Sequence, residues 1–298
     1  MSVPSNWRHW LEAARPKTLP AAIIPVAVGT ALAVAHRAEN YASAAICLAF
    51  SLLVQIGTNF ANDYFDFVKG ADTAERVGPR RAVAAGLIAP RTMLMATCGV
   101  LGMAFLVGLL LVRTGGWGLL PVGIVSIVCA IAYTGGPFPL GYNGLGDVFV
   151  FIFFGLVAVC ATFYVQAGHV APDVVSGAAA VGLLAANILV ANNYRDVETD
   201  ARAGKKTLVV RFGRRFALWQ YGLSVLVALL CSPALLLAGY RWPVLLPLVL
   251  APWGYRLTHR LGWSTEPAEQ IAILGDTAKF LAVFGVLLSV GVISGGGR

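Results

Sequence analysis

The sequence predicts an all-α membrane protein, a polytopic helix bundle of about nine transmembrane helices that forms one integral-membrane domain over residues 1–298. Of these residues, 58% are hydrophobic and 12% are charged, and the mean hydropathy is +0.76. Soluble domains carry about twice that share of charged residues, so the composition excludes them. Apolar segments close to the length of a bilayer span recur along the whole chain, and no long polar linker separates them.

Each predicted span is an apolar stretch between polar or turn-forming segments. The first follows a basic start in which Trp7 and Trp10 occupy positions typical of the membrane interface. The fourth and the eighth are short, and the eighth also contains Pro247 and Pro252. The nine spans are 19–35, 41–61, 92–112, 117–134, 146–166, 172–193, 215–238, 243–258 and 274–294.

Lysine and arginine are distributed unequally over the connecting segments. With a cytoplasmic N-terminus, seventeen of them fall on the cytoplasmic side and four on the opposite side, while Lys279 lies within the last span. Membrane proteins retain positive residues on the cytoplasmic side. The distribution therefore supports both the nine spans and this orientation. It also explains the formal net charge of +8 without a nucleic-acid partner.

The stretch NFANDYFDFVKGADT at 59–73 is unusual because it follows directly on an apolar segment. Asn62, Asp63, Asp66 and Asp72 all fall within eleven residues of it. On a helix, residues three or four positions apart lie on one side, so Asn62, Asp63 and Asp66 can converge.

A second polar stretch, NNYRDVETDARAGKK at 192–206, repeats this spacing after the sixth predicted span. Asn192, Asp196 and Asp200 recur every fourth residue and share one helical stripe. Both stretches are predicted on the cytoplasmic side of the membrane. Acidic residues in such places can be solvated loop charges, but the same spacing in two stretches favours a functional site.

Clustered carboxylates repel one another unless cations lie among them. Asp and Asn oxygens are hard ligands, which suit Mg²⁺ held jointly with a substrate phosphate. Basic residues beside both stretches can bind phosphate oxygens as well. These are Arg15, Lys17, Arg76, Arg80, Arg81, Arg195, Lys205 and Lys206. The sequence therefore predicts a magnesium–diphosphate site.

A diphosphate bound at a membrane surface indicates a lipid diphosphate whose tail stays in the bilayer. Loss of diphosphate from an allylic tail leaves a carbocation, which requires a dry chamber lined by apolar or aromatic groups. The candidates for this lining are Phe60, Tyr64, Phe65, Tyr133, Phe149 and Phe153.

These motifs resemble the UbiA superfamily of membrane prenyltransferases, whose two aspartate-rich motifs are similar to NDYFDFVKGAD at 62–72 and DVETD at 196–200. Within the superfamily, the chain is most similar to the branch that prenylates 1,4-dihydroxy-2-naphthoate. The stretches that carry this likeness are ARPKTLPAAIIPVAVG, VGPRRAVAAGLI, YTGGPFPLGYNGLGDVFVFIFFGLVAV and ANNYRDVETDARAGKKTLVVRFG, between residues 14 and 213.

The resemblance implies nine helices around a central cavity that opens towards the membrane lipid. It implies that Mg²⁺ binds a polyprenyl diphosphate there, and that 1,4-dihydroxy-2-naphthoate accepts the prenyl group and loses its carboxylate as carbon dioxide. The product is demethylmenaquinone, of the menaquinone pathway.

The resemblance also implies roles for individual residues. Asn62, Asp63, Asp66, Asp72, Asp196 and Asp200 are the expected metal ligands. Lys17, Arg81 and Lys205 are the expected diphosphate contacts. Asp66, Asp196, Asp200 and Tyr133 are the expected catalytic residues, with Tyr133 in the cavity near the reacting carbon.

Two departures from the superfamily pattern narrow these expectations. The position four residues after Asp66 is Gly70, where the pattern often has a third aspartate, and the next aspartate is Asp72. The 4-hydroxybenzoate branch carries a Lys-Arg pair soon after the residue that corresponds to Tyr133, whereas GGPFPLGY follows here. This favours the naphthoate branch and leaves the acceptor carboxylate without a cation from this loop.

Two other functions are compatible with parts of the pattern. One is a prenyltransferase for another aromatic acceptor, such as 4-hydroxybenzoate. The other is a secondary transporter whose acidic clusters bind coupling cations, although such sites lie near the middle of the membrane rather than among basic residues at its edge.

Overall fold

The computed structural model describes residues 6–72, 78 and 80–296, and in this part of the chain all regular structure is helical. Three helices are interrupted or extended by tighter or wider turns, at Pro16–Thr18, Phe151–Val157 and Trp242–Leu250. The α-helices are α1 (Trp7–Ala14), α2 (Pro20–Ala35), α3 (Tyr41–Val68), α4 (Pro90–Gly115), α5 (Leu119–Ala132), α6 (Gly146–Val150), α7 (Ala158–Ala167), α8 (Pro172–Arg195), α9 (Val197–Arg202), α10 (Leu208–Leu237), α11 (Ala251–Trp263) and α12 (Pro267–Gly295).

Among the described residues, six helical segments are long and apolar enough to cross a membrane, and a bent pair of helices at the start of the chain makes up to seven. The fourth predicted span forms α5, which has only 14 residues. The eighth is divided between the 3-10 turns at Trp242–Leu250 and α11, because Pro243 and Pro247 remove backbone donors there. The predicted membrane helix bundle is confirmed, while the number nine stays a prediction.

Helix α8 is the centre of the bundle, with 67% of its most apolar window buried inside the protein. It packs against α10, α12 and the segment that joins α6 to α7. That segment is a π-helix at Phe151–Val157, a wider turn that is frequent at functional sites. Gly155 on this segment and Gly182 on α8 allow the two backbones to touch, since a Cβ added at Gly182 would lie 2.7 Å from the Phe151 carbonyl oxygen.

Helix α1 lies at an angle of 50° to α2 and packs over the end of α3 that carries the first acidic stretch. Asn6 caps its N-terminus, and Arg15 ends it in the left-handed conformation with φ of 52°. Trp10 makes an edge-to-face contact with Phe60 at a centroid distance of 5.5 Å. This contact, together with a small apolar cluster that includes Ala82 and Val83, holds the loop after the first acidic stretch against α3.

Candidate active site

The two acidic stretches meet at one cavity of about 810 Å³. Helix α3 contributes the side chains of the first stretch, and the end of α8 with α9 contributes those of the second. The acidic and amide side chains that line the cavity are buried from solvent, except Asn192, which is half-buried. The lining acidic and amide residues are Asn59, Asn62, Asp63, Asp66, Asn192, Asn193, Asp196 and Asp200. The structure therefore brings the two predicted clusters together.

Asp66 lies between two basic side chains. Arg81 Nη2 donates to Asp66 Oδ2 at 2.9 Å, and Arg81 Nε is 3.5 Å from Asp72 Oδ1. Lys205 Nζ is 3.9 Å from Asp66 Oδ1 and 3.2 Å from Asp200 Oδ1. Arg81 thus pairs with two carboxylates of the first stretch, and Lys205 joins the first stretch to the second, as expected of cations in a crowded acidic site.

Arg195 forms a bidentate ion pair with its neighbour Asp196. Its Nε donates to Asp196 Oδ1 at 2.7 Å and its Nη2 to Asp196 Oδ2 at 2.6 Å. The same Nη2 reaches Asn192 Oδ1 at 2.8 Å. This geometry fixes the orientation of the second stretch towards the cavity. Arg195 was noted in the sequence only as one of several basic residues, because its pairing depends on the turn between α8 and α9.

Asp63 has a different environment from its neighbours. Its carboxylate accepts hydrogen bonds from the backbone amides of Ala82 at 3.1 Å and Val83 at 3.2 Å. These bonds fasten the loop that carries Arg81, so the position of Arg81 depends on Asp63. Asp72 does not line the cavity and reaches the cluster through Arg81. Metal ligation by these two residues stays a prediction.

Tyr142 and Lys69 belong to the same cluster and were not predicted. Tyr142 donates its hydroxyl hydrogen to Asp66 Oδ1 at 2.7 Å, and two ammonium groups lie over its ring, Lys69 Nζ at 5.0 Å from the centroid and Lys205 Nζ at 4.8 Å. Burial, and next the charge of Asp66, raise the pKa of Tyr142 well above its usual range, so it remains a donor.

Lys69 ties this cluster to the loop after α5. Its ammonium group donates to the carbonyl oxygens of Thr134 at 2.7 Å and Gly136 at 3.3 Å. Burial lowers the pKa of Lys69, and the charge of Asp66 opposes this change. Thr134 in turn donates to Asn62 Oδ1 at 2.8 Å. The sequence offers one signal for this role, since Lys69 lies within the first acidic stretch.

The donor atoms fit Mg²⁺ that is shared with a diphosphate. Within the described part of the chain, no group of three or more His, Cys, Asp or Glu side chains is arranged to hold a metal ion alone. Mg²⁺ usually takes only one or two carboxylates and completes its shell with phosphate oxygens and water. Asp66, Asp196 and Asp200 offer such carboxylates from both sides of one cavity.

Two buried guanidinium nitrogens also suit an anionic ligand. Arg81 Nη1 and Arg195 Nη1 have no hydrogen-bond partner among the residues that the structure describes, and both side chains line the cavity. Lys17 and Arg80 lie at the same cavity but are more exposed. Arg76 lies outside the described residues.

The remainder of the cavity wall is largely apolar. Phe149 and Phe153 are stacked at a centroid distance of 5.9 Å and line the cavity together with Tyr133. Gly146 lets Tyr133 approach closely, since a Cβ there would be 3.0 Å from the tyrosine hydroxyl oxygen. The prediction that Phe60, Tyr64 and Phe65 line the cavity is wrong. Phe60 and Tyr64 pack in the apolar cluster that includes Ala82 and Val83, and Phe65 packs against Gly135.

Comparison with known proteins gives consistent results. A sequence profile described as the UbiA prenyltransferase family matches residues 22–285. A protein of Mycobacterium tuberculosis named 1,4-dihydroxy-2-naphthoate octaprenyltransferase is 39% identical over 285 residues, which cover 96% of this chain and 97% of that protein. A protein of the same name from Haemophilus influenzae is 36% identical over 297 residues, covering 97% and 96%. The Escherichia coli protein of that name is 40% identical over 76% of each chain.

Solved structures share the fold at low sequence identity. A UbiA homolog from Archaeoglobus fulgidus, solved with DMAPP and Mg²⁺, has a TM-score of 0.65 and 18% identity, and covers 96% of this chain and 99% of its own. A UbiA homolog from Aeropyrum pernix has a TM-score of 0.68 and 15% identity, with coverage of 92% and 97%.

Proposed function

The chain belongs to the UbiA prenyltransferase family, and on this basis we propose that it transfers a polyprenyl group from polyprenyl diphosphate to 1,4-dihydroxy-2-naphthoate. The observation that carries the proposal is the convergence of two acidic stretches, bridged by Lys205, at a cavity with an apolar wall. Relatives that align over nearly their whole length are named for this acceptor. A transporter has no comparable support.

At the cytoplasmic end of the cavity, the acidic and basic residues of the two stretches bind and orient the diphosphate. Asp66, Asp196 and Asp200, with Asn62, would hold Mg²⁺. The ion held there would supply positive charge that stabilises the departing diphosphate. Arg81 and Lys205 contact these carboxylates and lie where they can also donate to phosphate oxygens. Lys17 adds positive charge at the same cavity.

The apolar part of the cavity holds the prenyl chain and excludes water. Tyr133, Phe149 and Phe153 line this part of the cavity, and aromatic rings beside an allylic cation would stabilise its positive charge. The bond between prenyl C1 and the diphosphate oxygen breaks, and C1 bonds to the naphthoate ring carbon that carries the carboxylate. The electron pair of the carboxylate bond returns to the ring as carbon dioxide leaves, so no oxidant is needed. The immediate product is the reduced form of demethylmenaquinone.

The loop after Tyr133 supports the naphthoate acceptor over 4-hydroxybenzoate. Residues 133–145 contain no lysine or arginine. Lys69 lies beside this loop, but it does not line the cavity and its ammonium group binds the carbonyl oxygens of Thr134 and Gly136. The loop therefore lacks the Lys-Arg pair that the 4-hydroxybenzoate branch carries at this place, which favours the naphthoate branch.

The decisive assay uses purified protein in detergent with Mg²⁺, a polyprenyl diphosphate and 1,4-dihydroxy-2-naphthoate. We expect a prenylated naphthoquinol and an equal amount of carbon dioxide, with loss of both when EDTA is added. Substitution of 4-hydroxybenzoate should give no product. Diphosphate binding without any naphthoate product would contradict the acceptor, and the absence of both in folded protein would contradict the whole proposal.

The protein is a multi-pass membrane protein, and its proposed place is the bacterial inner membrane with the N-terminus and both acidic stretches in the cytoplasm. The excess of lysine and arginine on that side supports this orientation. A reporter that is active only in the cytoplasm should be active when fused after Ala203 and inactive when fused after Ala38. The opposite pattern would reverse the orientation.

A further inference from the structure

Gln55 places an unpaired polar atom in the wall of the same cavity. It lies on α3 about 16 Å along the helix axis from Asp66, deeper in the membrane. Its side chain lines the cavity and is only 7% exposed. The amide nitrogen donates to Thr18 Oγ1 at 3.1 Å, whereas the amide oxygen is buried without a hydrogen-bond partner among the described residues. A buried acceptor of this kind is costly unless a ligand or water satisfies it.

The neighbouring hydrogen bonds determine which way this amide faces. The Thr18 hydroxyl donates to the Arg15 carbonyl oxygen at 2.9 Å, so the hydroxyl oxygen can act only as an acceptor towards its other neighbours. It accepts from Gln55 Nε2 and from Asn59 Nδ2, the latter at 3.3 Å. Rotation of the Gln55 amide by 180° would place two acceptor oxygens against each other. Gln55 Oε1 is therefore held as the free acceptor.

We propose that Gln55 Oε1 accepts a hydrogen bond from a ring hydroxyl of the aromatic acceptor, which makes the wall formed by α2 and α3 the acceptor subsite. This inference rests on the proposed function. Of the two substrates, the prenyl diphosphate offers only acceptor oxygens and hydrocarbon, while the dihydroxynaphthoate offers O–H donors. Its 1-hydroxyl adjoins the carboxylate and is engaged by it, so the 4-hydroxyl is the donor available to Gln55.

The position of this subsite is consistent with the rest of the cavity. The polar side chains of Thr18, Gln55 and Asn59 lie on the wall formed by α2, α3 and the turn that precedes α2. The aromatic pair of Phe149 and Phe153 belongs to a different segment of the lining. A polar ring and a hydrocarbon chain can thus each occupy a wall that matches its chemistry.

The test compares two ligands and three variants of the full chain in detergent, without Mg²⁺ or prenyl donor. Titration calorimetry under reducing conditions would measure the dissociation constants of 1,4-dihydroxy-2-naphthoate and of 1-hydroxy-2-naphthoate, which lacks the 4-hydroxyl. We expect the native protein to bind the dihydroxy compound at least about tenfold more tightly, the size of one buried hydrogen bond. In Gln55→Met, which keeps the length of the side chain, the two constants should agree to within about twofold.

Two further variants separate this role from packing. In Gln55→Glu the buried acid in its protonated form can donate its O–H to Thr18 Oγ1 and keep the other oxygen as the free acceptor, so this variant should keep the preference for the dihydroxy compound when binding is measured at a pH low enough to protonate the acid. Gln270→Met alters an equally buried glutamine outside the cavity and should leave both constants unchanged. Binding of geranyl diphosphate with Mg²⁺ would show that each variant retains an intact site.

The possible outcomes are distinct. A tenfold preference that persists in Gln55→Met would overturn the inference. Equal binding of both ligands by a native protein that forms product would also overturn it, because a water molecule would then satisfy the amide oxygen. A native protein that neither binds nor converts the naphthoate would overturn the proposed function itself. Collapse of the preference in Gln55→Met alone would support the acceptor subsite.

Discussion

Asp66→Asn should lower the turnover rate by at least about 100-fold at saturating substrate, the usual effect of removing a charged group that stabilises the transition state. Asp66 is the carboxylate that contacts Arg81, Tyr142 and Lys205 at once. An amide has the same shape as the carboxylate but no negative charge, so it would hold neither the Arg81 and Lys205 cations nor Mg²⁺ in place. The measurement is the initial rate of diphosphate release by purified protein with Mg²⁺ and both substrates.

Asparagine is preferable to alanine in this experiment because Arg81 is buried. Removing the whole side chain would leave a buried cation with fewer partners, which is destabilising by itself. A suitable control is Glu198→Gln, since Glu198 is exposed and pairs with Arg214 outside the cavity. That variant should retain its rate, because exposed ion pairs contribute little. A folded Asp66→Asn protein with nearly native turnover would exclude Asp66 from the site.

Gly182→Ala should destabilise the folded protein by about 3 kcal/mol, at the upper end of the usual cost of overpacking. The added Cβ would lie 2.7 Å from the Phe151 carbonyl oxygen and 3.0 Å from the Gly155 Cα. Both neighbours are backbone atoms, so no side chain can rotate away and the helices must separate. The temperature at which half of the detergent-solubilised protein loses its monodisperse form should fall by several degrees.

Gly99 provides the matched control on α4. A Cβ added there would meet nothing within 4 Å. Alanine is favoured over glycine in a helix by about 1 kcal/mol, so Gly99→Ala should be neutral or slightly stabilising. If Gly182→Ala were as stable as Gly99→Ala, the close approach of α8 to the π-helix would be disproved. The π-helix contains Phe153 and lies directly after Phe149, and both residues line the cavity. A shift of this segment would displace them, so Gly182→Ala should also lower the activity.

Much of the architecture and part of the candidate site are encoded locally. Hydrophobic segments of span length predict membrane helices because a bilayer leaves the backbone no other partner than itself. The acidic residues at intervals of four predict shared helix faces for the same local reason. The two short segments, which become α5 and the broken region before α11, are also visible in the sequence through their length and prolines.

Contacts between distant segments were decided only by the tertiary structure. Asp63 lies in an acidic motif, yet its oxygens bind backbone amides nineteen and twenty residues further along. Tyr142 reaches Asp66 across 76 positions of the chain, and Phe65 turns away from the cavity to pack against Gly135. Helical periodicity predicts which side of a helix a residue occupies, but it does not predict which residues of other segments pack against that side.

By itself, the sequence determined that this is a helical membrane protein with two acidic stretches and the motifs of one family. It did so because hydropathy and helical spacing are properties of neighbouring residues. The folded chain alone decided which carboxylates share Arg81 and Lys205, that Gln55 presents an oxygen to the cavity, and that α8 touches the π-helix. Those features depend on side-chain packing and hydrogen-bond direction between helices, which short stretches of sequence do not predict.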